Sequence, residues 1–280
     1  MANGGKRSAV RAGQVAVLAL SLAAISTPAS ALASPYVHAH RGGAFATVSG
    51  EQVPVFGEAT MPAFRNAVRR GFVVELDAQV SADGVPFAIH DAELDRTTNC
   101  EGLVSEMPAA EIRRQCRVDV LGRGDEAVKL AAASTKLAKV PPLKQVLRLA
   151  SRRGAELNLE IKNDPTEPDF DPGDSTARAV ADEIERSGFP PSRLIVQSFW
   201  PPNIDVIEAD PDLALAETSL LTLGSLNAGG PALAAERGYE WFSPQWPIDA
   251  SLLAEAHSRG LRVVPYTLNS GAELTAAVER

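Results

Sequence analysis

Alternating apolar and polar residues identify the stretch Phe72–Asp91 as a pair of short strands. At its start, apolar side chains recur at every second position, which is the period of a strand whose successive side chains face opposite sides. Glu75 and Asp77 therefore lie on the same face. A turn-forming Ser-Ala-Asp-Gly sequence leads into a second apolar run, residues 87–89, which ends at His90. The stretch brings two carboxylates and a histidine to neighbouring strand ends.

The same kind of pattern recurs along the chain and predicts the fold class. Strand candidates alternate with segments that have apolar residues at helical spacing, which favours a parallel α/β architecture. The chain length suits a (β/α)8 TIM barrel. The segment Ala92–Val140 has no clear period and is predicted to be an irregular insertion after the third strand. The strand candidates are residues 36–41, 72–77, 87–89, 156–162, 193–198, 213–217, 241–243 and 262–267.

The N-terminus has the three regions of a secretory signal peptide. Basic residues precede an apolar run over residues 15–25, and small residues follow up to Ala33. The apolar run is short for a bilayer span, so we expect cleavage after Ala33 or, as a second choice, after Ala31. Residues 1–33 are therefore assigned to the signal peptide and residues 34–280 to one barrel domain. We expect a secreted protein without a stable membrane anchor.

Two cysteines, Cys100 and Cys116, lie within the predicted insertion. An exported chain enters an oxidising compartment, where such a pair is expected to form a disulfide. On the chain-entropy model, closing a loop of that size stabilises the fold by about 3 kcal/mol. Two free thiols are the alternative.

Charged and titratable side chains gather at one end of the predicted barrel. The carboxyl ends of barrel strands carry the catalytic groups in such folds, and six candidates fall there: His40, Glu75, Asp77, His90, Glu160 and Lys162. The carboxylates suit Mg²⁺ or Ca²⁺, and a histidine beside them is a candidate for proton transfer. Together with Arg41, these side chains form a predicted site for a cation and an anion. Phosphate is the anion that we expect. The opening stretch alone is equally consistent with a solvated strand face followed by a loop histidine.

Seven short motifs occur in order along the chain: HRG at 40–42, ELD at 75–77, DGVPFAIHD at 83–91, LDRTT at 94–98, LEIK at 159–162, SF at 198–199 and YTLN at 266–269. Taken together, they resemble the glycerophosphodiester phosphodiesterase family. The resemblance covers nearly all of residues 34–280, although each motif alone is a weak signal. It implies a barrel of the phospholipase C-like type, one Mg²⁺ or Ca²⁺ held by Glu75, Asp77 and Glu160, and His40 with His90 as the acid/base pair.

The implied activity is metal-dependent hydrolysis of a small glycerophosphodiester to glycerol 3-phosphate and an alcohol. Arg41 and Lys162 would bind the phosphate, with His40 assigned as the base and His90 as the acid. A phospholipid-cleaving phospholipase D/C-like relative and a secreted non-catalytic binding protein are the alternatives. The net charge of −8 disfavours nucleic acid or an anionic membrane as a partner. The sequence does not indicate the oligomeric state.

Three departures from the family pattern bear on the site. The family usually reads PENT where this chain has GEAT at residues 57–60, so Glu58 is kept and Ala59 replaces an asparagine. Tyr266 takes the place of the usual tryptophan before TxN and still offers an aromatic wall for the glycerol. Glu58 and Tyr266 are both assigned to substrate binding. Members generally continue to a further strand beyond the position of Arg280, which implies a chain truncated at its C-terminal end.

Overall fold

A computed structural model describes residues 1, 36–43, 45–48, 51–124, 127–130 and 137–280. Apart from Met1, the predicted signal peptide lies outside the described residues. Residues 36–280 form the unit described below.

A curled parallel sheet forms the centre of this unit. In chain order the strands are β1 (His38–Ala39), β2 (Phe45–Val48), β3 (Glu51–Pro54), β4 (Val73–Val80), β5 (Pro86–Ala88), β6 (Arg117–Val118), β7 (Val120–Leu121), β8 (Val128–Lys129), β9 (Ala138–Lys139), β10 (Leu157–Ile161), β11 (Leu194–Ser198), β12 (Glu217–Thr222), β13 (Trp241–Pro244) and β14 (Arg262–Val263). The sheet order is β1–β4–β10–β11–β12–β13–β14, and each neighbouring pair runs parallel. From β10 onwards, sheet neighbours are consecutive in the chain, as expected for a mixed α/β fold.

The third predicted strand does not join the sheet as a parallel strand. β5 runs antiparallel beside the second half of β4, with Ala88 opposite Ala78. The connection between them is a tight turn in which Gly84 has φ +75. Such a short connection joins antiparallel strands only, because a parallel strand needs a long crossover.

The helices lie between the strands along the chain. Within the described residues they are α1 (Met61–Arg69), α2 (Ala109–Gln115), α3 (Leu143–Arg153), α4 (Ser175–Ser187), α5 (Pro201–Glu208), α6 (Gly230–Arg237), α7 (Ala250–Ser258) and α8 (Gly271–Val278). α1 begins after Thr60, whose side chain accepts a hydrogen bond from the backbone of Ala63 and so caps the helix. α3 ends at Gly154, which has φ 65 and caps the helix.

One predicted strand, residues 213–217, is wrong. Pro211–Leu213 forms a 3-10 turn, and the Asp210 side chain accepts a hydrogen bond from the backbone of Asp212 at its start. The strand in this region, β12, begins only at Glu217. Proline and aspartate favour this turn over an extended chain.

Residues 92–140 connect β5 to α3 through short elements. They include α2 and the antiparallel pairs β6–β9 and β7–β8. Cys100 and Cys116 are joined by a disulfide. Apolar side chains such as Leu94 and Ile112 form a buried cluster of their own.

The main core lies between the sheet and helices α1, α3 and α4. Phe64, Leu147 and Val180 are among the fully buried side chains that the three helices contribute. Among the helices that the structure describes, none has the length and apolar character needed to cross a bilayer.

Candidate active site

Three carboxylates lie together inside the sheet. Glu75 and Asp77 belong to β4, and Glu160 lies on β10 directly beside Asp77 in the parallel register. One oxygen of each carboxylate lies within 4.8 Å of the others, and all three residues are buried. The sequence predicts Glu75 and Asp77 at a strand end, but β4 continues to Val80. The pairing of two strands therefore brings the carboxylates together, well inside β4.

This carboxylate cluster has the donor chemistry of a cation site. Neither oxygen of Asp77 has a hydrogen-bond partner among the described residues, although Asp77 is fully buried. Burial and the neighbouring Asp77 carboxylate raise the pKa of Glu75 well above its usual value, and burial raises the pKa of Asp77. A divalent cation would supply both the missing partners and the counter-charge. Glu75, Asp77 and Glu160 therefore fit Mg²⁺ or Ca²⁺.

A tight turn after β1 places Arg41 beside the carboxylates. Arg41 has φ 52, and its backbone N–H donates to Glu75 Oε2 at 2.7 Å. Its guanidinium donates to Glu58 Oε1 at 2.9 Å and lies 3.7 Å from Asp77 Oδ2. Burial opposes the charge of Arg41, but the carboxylates of Asp77, Glu58 and Glu75 outweigh it and raise the pKa. Arg41 is thus a permanent cation engaged with carboxylates.

The turn requires a glycine at position 42. Gly42 has φ +84, and a Cβ at this position would lie 2.8 Å from Cδ1 of Phe64. The glycine allows α1 to pack directly against the turn. This packing fixes the backbone that carries His40 and Arg41.

The Glu58 carboxylate accepts hydrogen bonds from two arginines and from the backbone of a loop. Its Oε1 accepts from Arg41 and from Arg96 Nη2 at 2.8 Å, and its Oε2 accepts from Arg96 Nη1 and from the backbone of Gly124. These contacts leave little acceptor capacity for a substrate, so the geometry gives Glu58 a supporting role in place of the predicted substrate contact. Burial opposes ionisation, but the bonds from Arg96 and the charge of Arg41 hold the pKa of Glu58 below its usual value. The adjacent Ala59 has φ 52, a conformation that the asparagine of the family pattern adopts more readily.

His90 is oriented by a carboxylate that the sequence analysis does not single out. His90 Nδ1 lies 2.6 Å from Asp91 Oδ1, and Asp91 accepts from Arg96 Nη2 at 2.9 Å. Burial opposes the charge of Asp91, but the bonds to His90 and Arg96 hold its pKa below the usual range. Asp91 and Arg96 lie within the matching motifs DGVPFAIHD and LDRTT. A signal for them was therefore present in the sequence.

His40 contacts a residue for which the sequence gives no functional signal. Arg123 Nη1 lies 2.8 Å from His40 Nδ1, and Thr267 Oγ1 lies 3.5 Å from the same nitrogen. Burial, followed by the positive charges of Arg41 and Arg123, lowers the pKa of His40 well below its usual value. Arg123 lies in the segment without a clear period, outside every matched motif.

Lys162 follows β10 and faces two carboxylates. Its Nζ lies 3.1 Å from Glu160 Oε1 and 3.7 Å from Glu167 Oε1. Burial opposes the ammonium charge, but Glu160 and Asp77 outweigh burial and raise the pKa of Lys162. Lys162 is therefore a cation beside the carboxylate cluster.

Tyr266 forms part of an aromatic wall near Lys162. Its ring meets Phe199 edge to face with 6.0 Å between ring centres, and Lys162 Nζ lies 5.9 Å from the Phe199 ring centre. The Tyr266 hydroxyl donates to the carbonyl of Thr222 at 2.8 Å. The hydroxyl proton of Tyr266 is therefore engaged by the fold.

Two amide side chains form a chain of hydrogen bonds that ends at the Glu75 carboxylate. Gln197 Nε2 donates to Glu75 Oε1 at 3.4 Å, and Asn158 Nδ2 donates to Gln197 Oε1 at 3.0 Å. Asn158 Nδ2 also lies 3.1 Å from His38 Nδ1. Burial lowers the pKa of His38 to about 4, so His38 is neutral at physiological pH and accepts this bond.

A curled parallel sheet with three buried carboxylates, two histidines and two cationic side chains defines an α/β protein with a candidate cation-assisted, anion-binding active site. Comparison with known proteins gives the family. The model of the Glycerophosphoryl diester phosphodiesterase family matches residues 40–279, and the chain belongs to this family.

Individual relatives differ in how much of the chain they match. A glycerophosphodiester phosphodiesterase of Bacillus subtilis (strain 168) is 28% identical, over 93% of this chain and 89% of the relative. One from Bacillus altitudinis is 36% identical, but the match spans 39% of this chain and only 41% of the relative. A match at 34% identity to the same enzyme of Caldanaerobacter subterraneus likewise spans 45% of each chain.

Solved structures share the fold at low sequence identity. A phosphodiesterase from Oleispira antarctica, in complex with the product sn-glycerol-3-phosphate, has a TM-score of 0.68 at 20% identity, covering 88% of this chain and 89% of that one. A glycerophosphodiester phosphodiesterase from Thermotoga maritima has a TM-score of 0.57 at 19% identity, covering 80% and 85%.

Proposed function

We propose that this chain hydrolyses glycerophosphodiesters to glycerol 3-phosphate and an alcohol, with one divalent cation as cofactor. The observation that carries the proposal is the buried carboxylate cluster, in which Asp77 lies 3.7 Å from the Arg41 guanidinium and Glu160 lies 3.1 Å from the Lys162 ammonium. Membership of the family supports the reaction class. The product bound to the Oleispira antarctica relative supports glycerol 3-phosphate as the product here.

Glu75, Asp77 and Glu160 are the residues that would hold Mg²⁺ or Ca²⁺. When bound, such a cation offsets the negative charge of the phosphoryl oxygens and orients the ester. Lys162 and Arg41 add fixed positive charge beside the phosphate. Positive charge that is already in place where negative charge develops in the transition state is expected to contribute most to the rate.

The contacts of the histidines suggest their roles. Asp91 is an ionised acceptor, so His90 carries its proton on Nδ1 and keeps a lone pair on Nε2. His90 would take the proton from the attacking group, either water or the neighbouring glycerol hydroxyl. His40 would give a proton to the leaving alcohol oxygen and regain one from solvent, while Arg123 offsets the negative charge left on the ring. This assignment is the reverse of the one made from the sequence, and the Asp91 contact is the reason for the change.

We propose three further features on the same basis. The parallel sheet belongs to a (β/α)8 barrel, which the similarity to the solved relatives supports. Residues 92–140 are an irregular insertion after β5, supported by their short strands and separate apolar cluster. The protein is secreted after loss of residues 1–33, supported by the N-terminal pattern and the disulfide. Mass spectrometry of the protein from culture medium tests the cleavage site.

The activity is tested by release of glycerol 3-phosphate from glycerophosphocholine, with Ca²⁺, with Mg²⁺ and with EDTA. We expect product only when a divalent cation is present. Asp77→Asn should abolish turnover, whereas Asp182→Asn, which alters an exposed ion pair on α4, serves as the matched control and should not. Product that is insensitive to EDTA would contradict the cation requirement.

His40→Ala and His90→Ala test the acid/base roles. Each is expected to lower turnover by roughly two to four orders of magnitude. Near-wild-type activity in both variants would exclude the assignment. Cleavage of phospholipid vesicles but not of glycerophosphocholine would identify the phospholipase alternative, and ligand binding without any turnover would identify a binding protein.

A further inference from the structure

Arg123 joins two parts of the site that are distant in sequence. Its Nη1 lies 2.8 Å from Nδ1 of His40. Its Nη2 donates to Oδ1 of Asn269, which follows β14 at the other end of the chain. The guanidinium therefore spans the gap between the turn after β1 and the loop after β14.

The loop that carries Arg123 is fixed by backbone hydrogen bonds. Gly122 N–H donates to the carbonyl of Phe56 at 2.9 Å, and the Gly122 carbonyl accepts from Glu58 N–H at 3.0 Å. The backbone of Gly124 donates to the buried carboxylate of Glu58. Gly122 and Gly124 both have positive φ, at 89° and 56°, which allows the backbone to bend on either side of Arg123. The position of Arg123 is thus built into the fold.

An arginine side chain has N–H donors and no acceptor. The His40 Nδ1 that receives the Arg123 bond must therefore carry a lone pair, and the proton of the neutral ring lies on Nε2. We propose that Arg123 is a positioning residue that holds His40 in the Nε2–H tautomer, so that His40 presents a donor to the reaction. This inference rests on the proposed function for its catalytic meaning, but the tautomer itself is a property of the free protein.

The two histidines are therefore expected to adopt opposite tautomers. His90 carries its proton on Nδ1 against Asp91 and offers a lone pair, whereas His40 accepts at Nδ1 and offers an N–H. The other charged groups that act on His40 are Arg41, Lys162 and His90. Thr267 Oγ1, at 3.5 Å from the same Nδ1, can donate or accept, so among the described contacts of that nitrogen only Arg123 requires it to carry a lone pair.

The tautomer is tested by ¹⁵N NMR of histidine-labelled protein, with His40→Gln used to assign the His40 signals. In the wild type we expect Nε2 to be protonated and Nδ1 to be unprotonated across neutral pH. In Arg123→Met, the two shifts should move towards each other as the tautomers exchange, and His40 should titrate at higher pH. Arg123→Lys keeps a donor and the charge, and should restore the wild-type pattern at least in part. Arg259→Met removes an arginine from an exposed ion pair on α7 and should change nothing.

The activity readout separates this role from a structural one. Arg123→Met should lower kcat by on the order of 10- to 100-fold, as when a group that orients a histidine through its second nitrogen is lost. KM should stay within about twofold. If Arg123→Met does not fold, Asn269→Ala, which removes one anchor of the guanidinium, should shift the His40 signals in the same direction.

Two results would overturn the proposal: a wild-type His40 that already exchanges between tautomers, or His40 shifts that are unchanged in folded Arg123→Met. The NMR result does not depend on turnover. A wild type with fixed Nε2–H but no phosphodiesterase activity would contradict the proposed function and leave the positioning role intact.

Discussion

Asp77 combines complete burial with two carboxylate oxygens that have no hydrogen-bond partner among the described residues. Buried polar atoms are normally paired, and an isolated buried charge costs several kcal/mol. Arg41 Nε, at 3.7 Å from Asp77 Oδ2, offsets part of this cost without a hydrogen bond. The arrangement is therefore destabilising by itself, and we expect the proposed cation to make it favourable.

Cation binding should accordingly stabilise the fold. At a cation concentration 100 times the dissociation constant, a ligand that binds only the folded state adds about 2.7 kcal/mol. We expect Ca²⁺ or Mg²⁺ to raise the thermal unfolding midpoint of the wild type relative to EDTA. Asp77→Asn should lose this rise and, in EDTA, be at least as stable as the wild type. The control Asp182→Asn should keep the full rise, and an equal rise in Asp77→Asn would place the cation elsewhere.

His38 should make stability depend on pH in a defined window. Its pKa is lowered to about 4 in the fold by burial, against about 6.5 in an unfolded chain. Between these values the unfolded chain binds the proton and the folded protein does not, so stability falls as pH falls from 6.5 towards 4. The full loss attributable to this group is about 3 kcal/mol, and it is absent above pH 7.

His38→Gln removes this titration. Urea unfolding at pH 7 and pH 5 should show a smaller loss of stability in the variant than in the wild type, since carboxylate effects are common to both. His257→Gln, on the polar face of α7, is the control. Equal pH dependence in wild type and His38→Gln would mean that His38 is not kept neutral by the fold.

At the scale of single elements, local pattern and long-range pairing contribute differently to the site. The alternation around Glu75 and Asp77 predicts a shared face, and the structure confirms it. The adjacency of Asp77 and Glu160 depends on the register of β4 with β10, which no local pattern encodes. The predicted strand map places Glu160 at a neighbouring strand end, and the family resemblance gives it the role of a cation ligand.

Local sequence patterns do not predict the positions of other side chains in the site. Arg123 comes from a segment whose backbone is shaped by bonds to residues 56–58, so its place follows from tertiary contacts alone. Glu58 contacts Arg41, and it is also bound by Arg96, which lies 38 residues further along the sequence. Periodicity predicts which face a side chain takes, and it contains no information on partners at such distances.

Strand pairing also positions Gln197, which we expect to tune the cation site. It donates to Glu75 and accepts from Asn158. Gln197→Met keeps the side-chain length and removes both hydrogen bonds. Loss of an outer partner of a metal ligand typically weakens binding 10- to 100-fold. Calorimetric titration with Ca²⁺ or Mg²⁺ should show this loss.

Ser219→Ala is the control for Gln197→Met. Ser219 is the neighbour of Gln197 on the next strand, β12, and its hydroxyl bonds to Ser243 without contact to a carboxylate. This variant should bind the cation as the wild type does. Unchanged affinity in Gln197→Met would mean that Glu75 is held by the backbone of Arg41 alone.

For the whole molecule, the segment between β5 and α3 supplies side chains to both histidines. Arg96 bonds to Asp91, the partner of His90, and Arg123 bonds to His40. The disulfide joins Cys100, which follows Arg96, to Cys116, which precedes Arg123. The disulfide that constrains this segment is therefore expected to affect both the stability of the fold and the geometry of the site.

Cys100→Ala/Cys116→Ala should lower the free energy of unfolding by about 3 kcal/mol, because the disulfide closes a loop of roughly 15 residues. At temperatures well below unfolding, we expect KM to be almost unchanged. We expect kcat to fall by only a few-fold, since the bonds of Glu58 to Arg96 and Gly124 remain. Urea unfolding and steady-state kinetics measure the two effects. Reductant should reproduce them in the wild type and have no effect on the double variant. Stability within about 0.5 kcal/mol of the wild type would show that the segment is held by its apolar cluster and not by the disulfide.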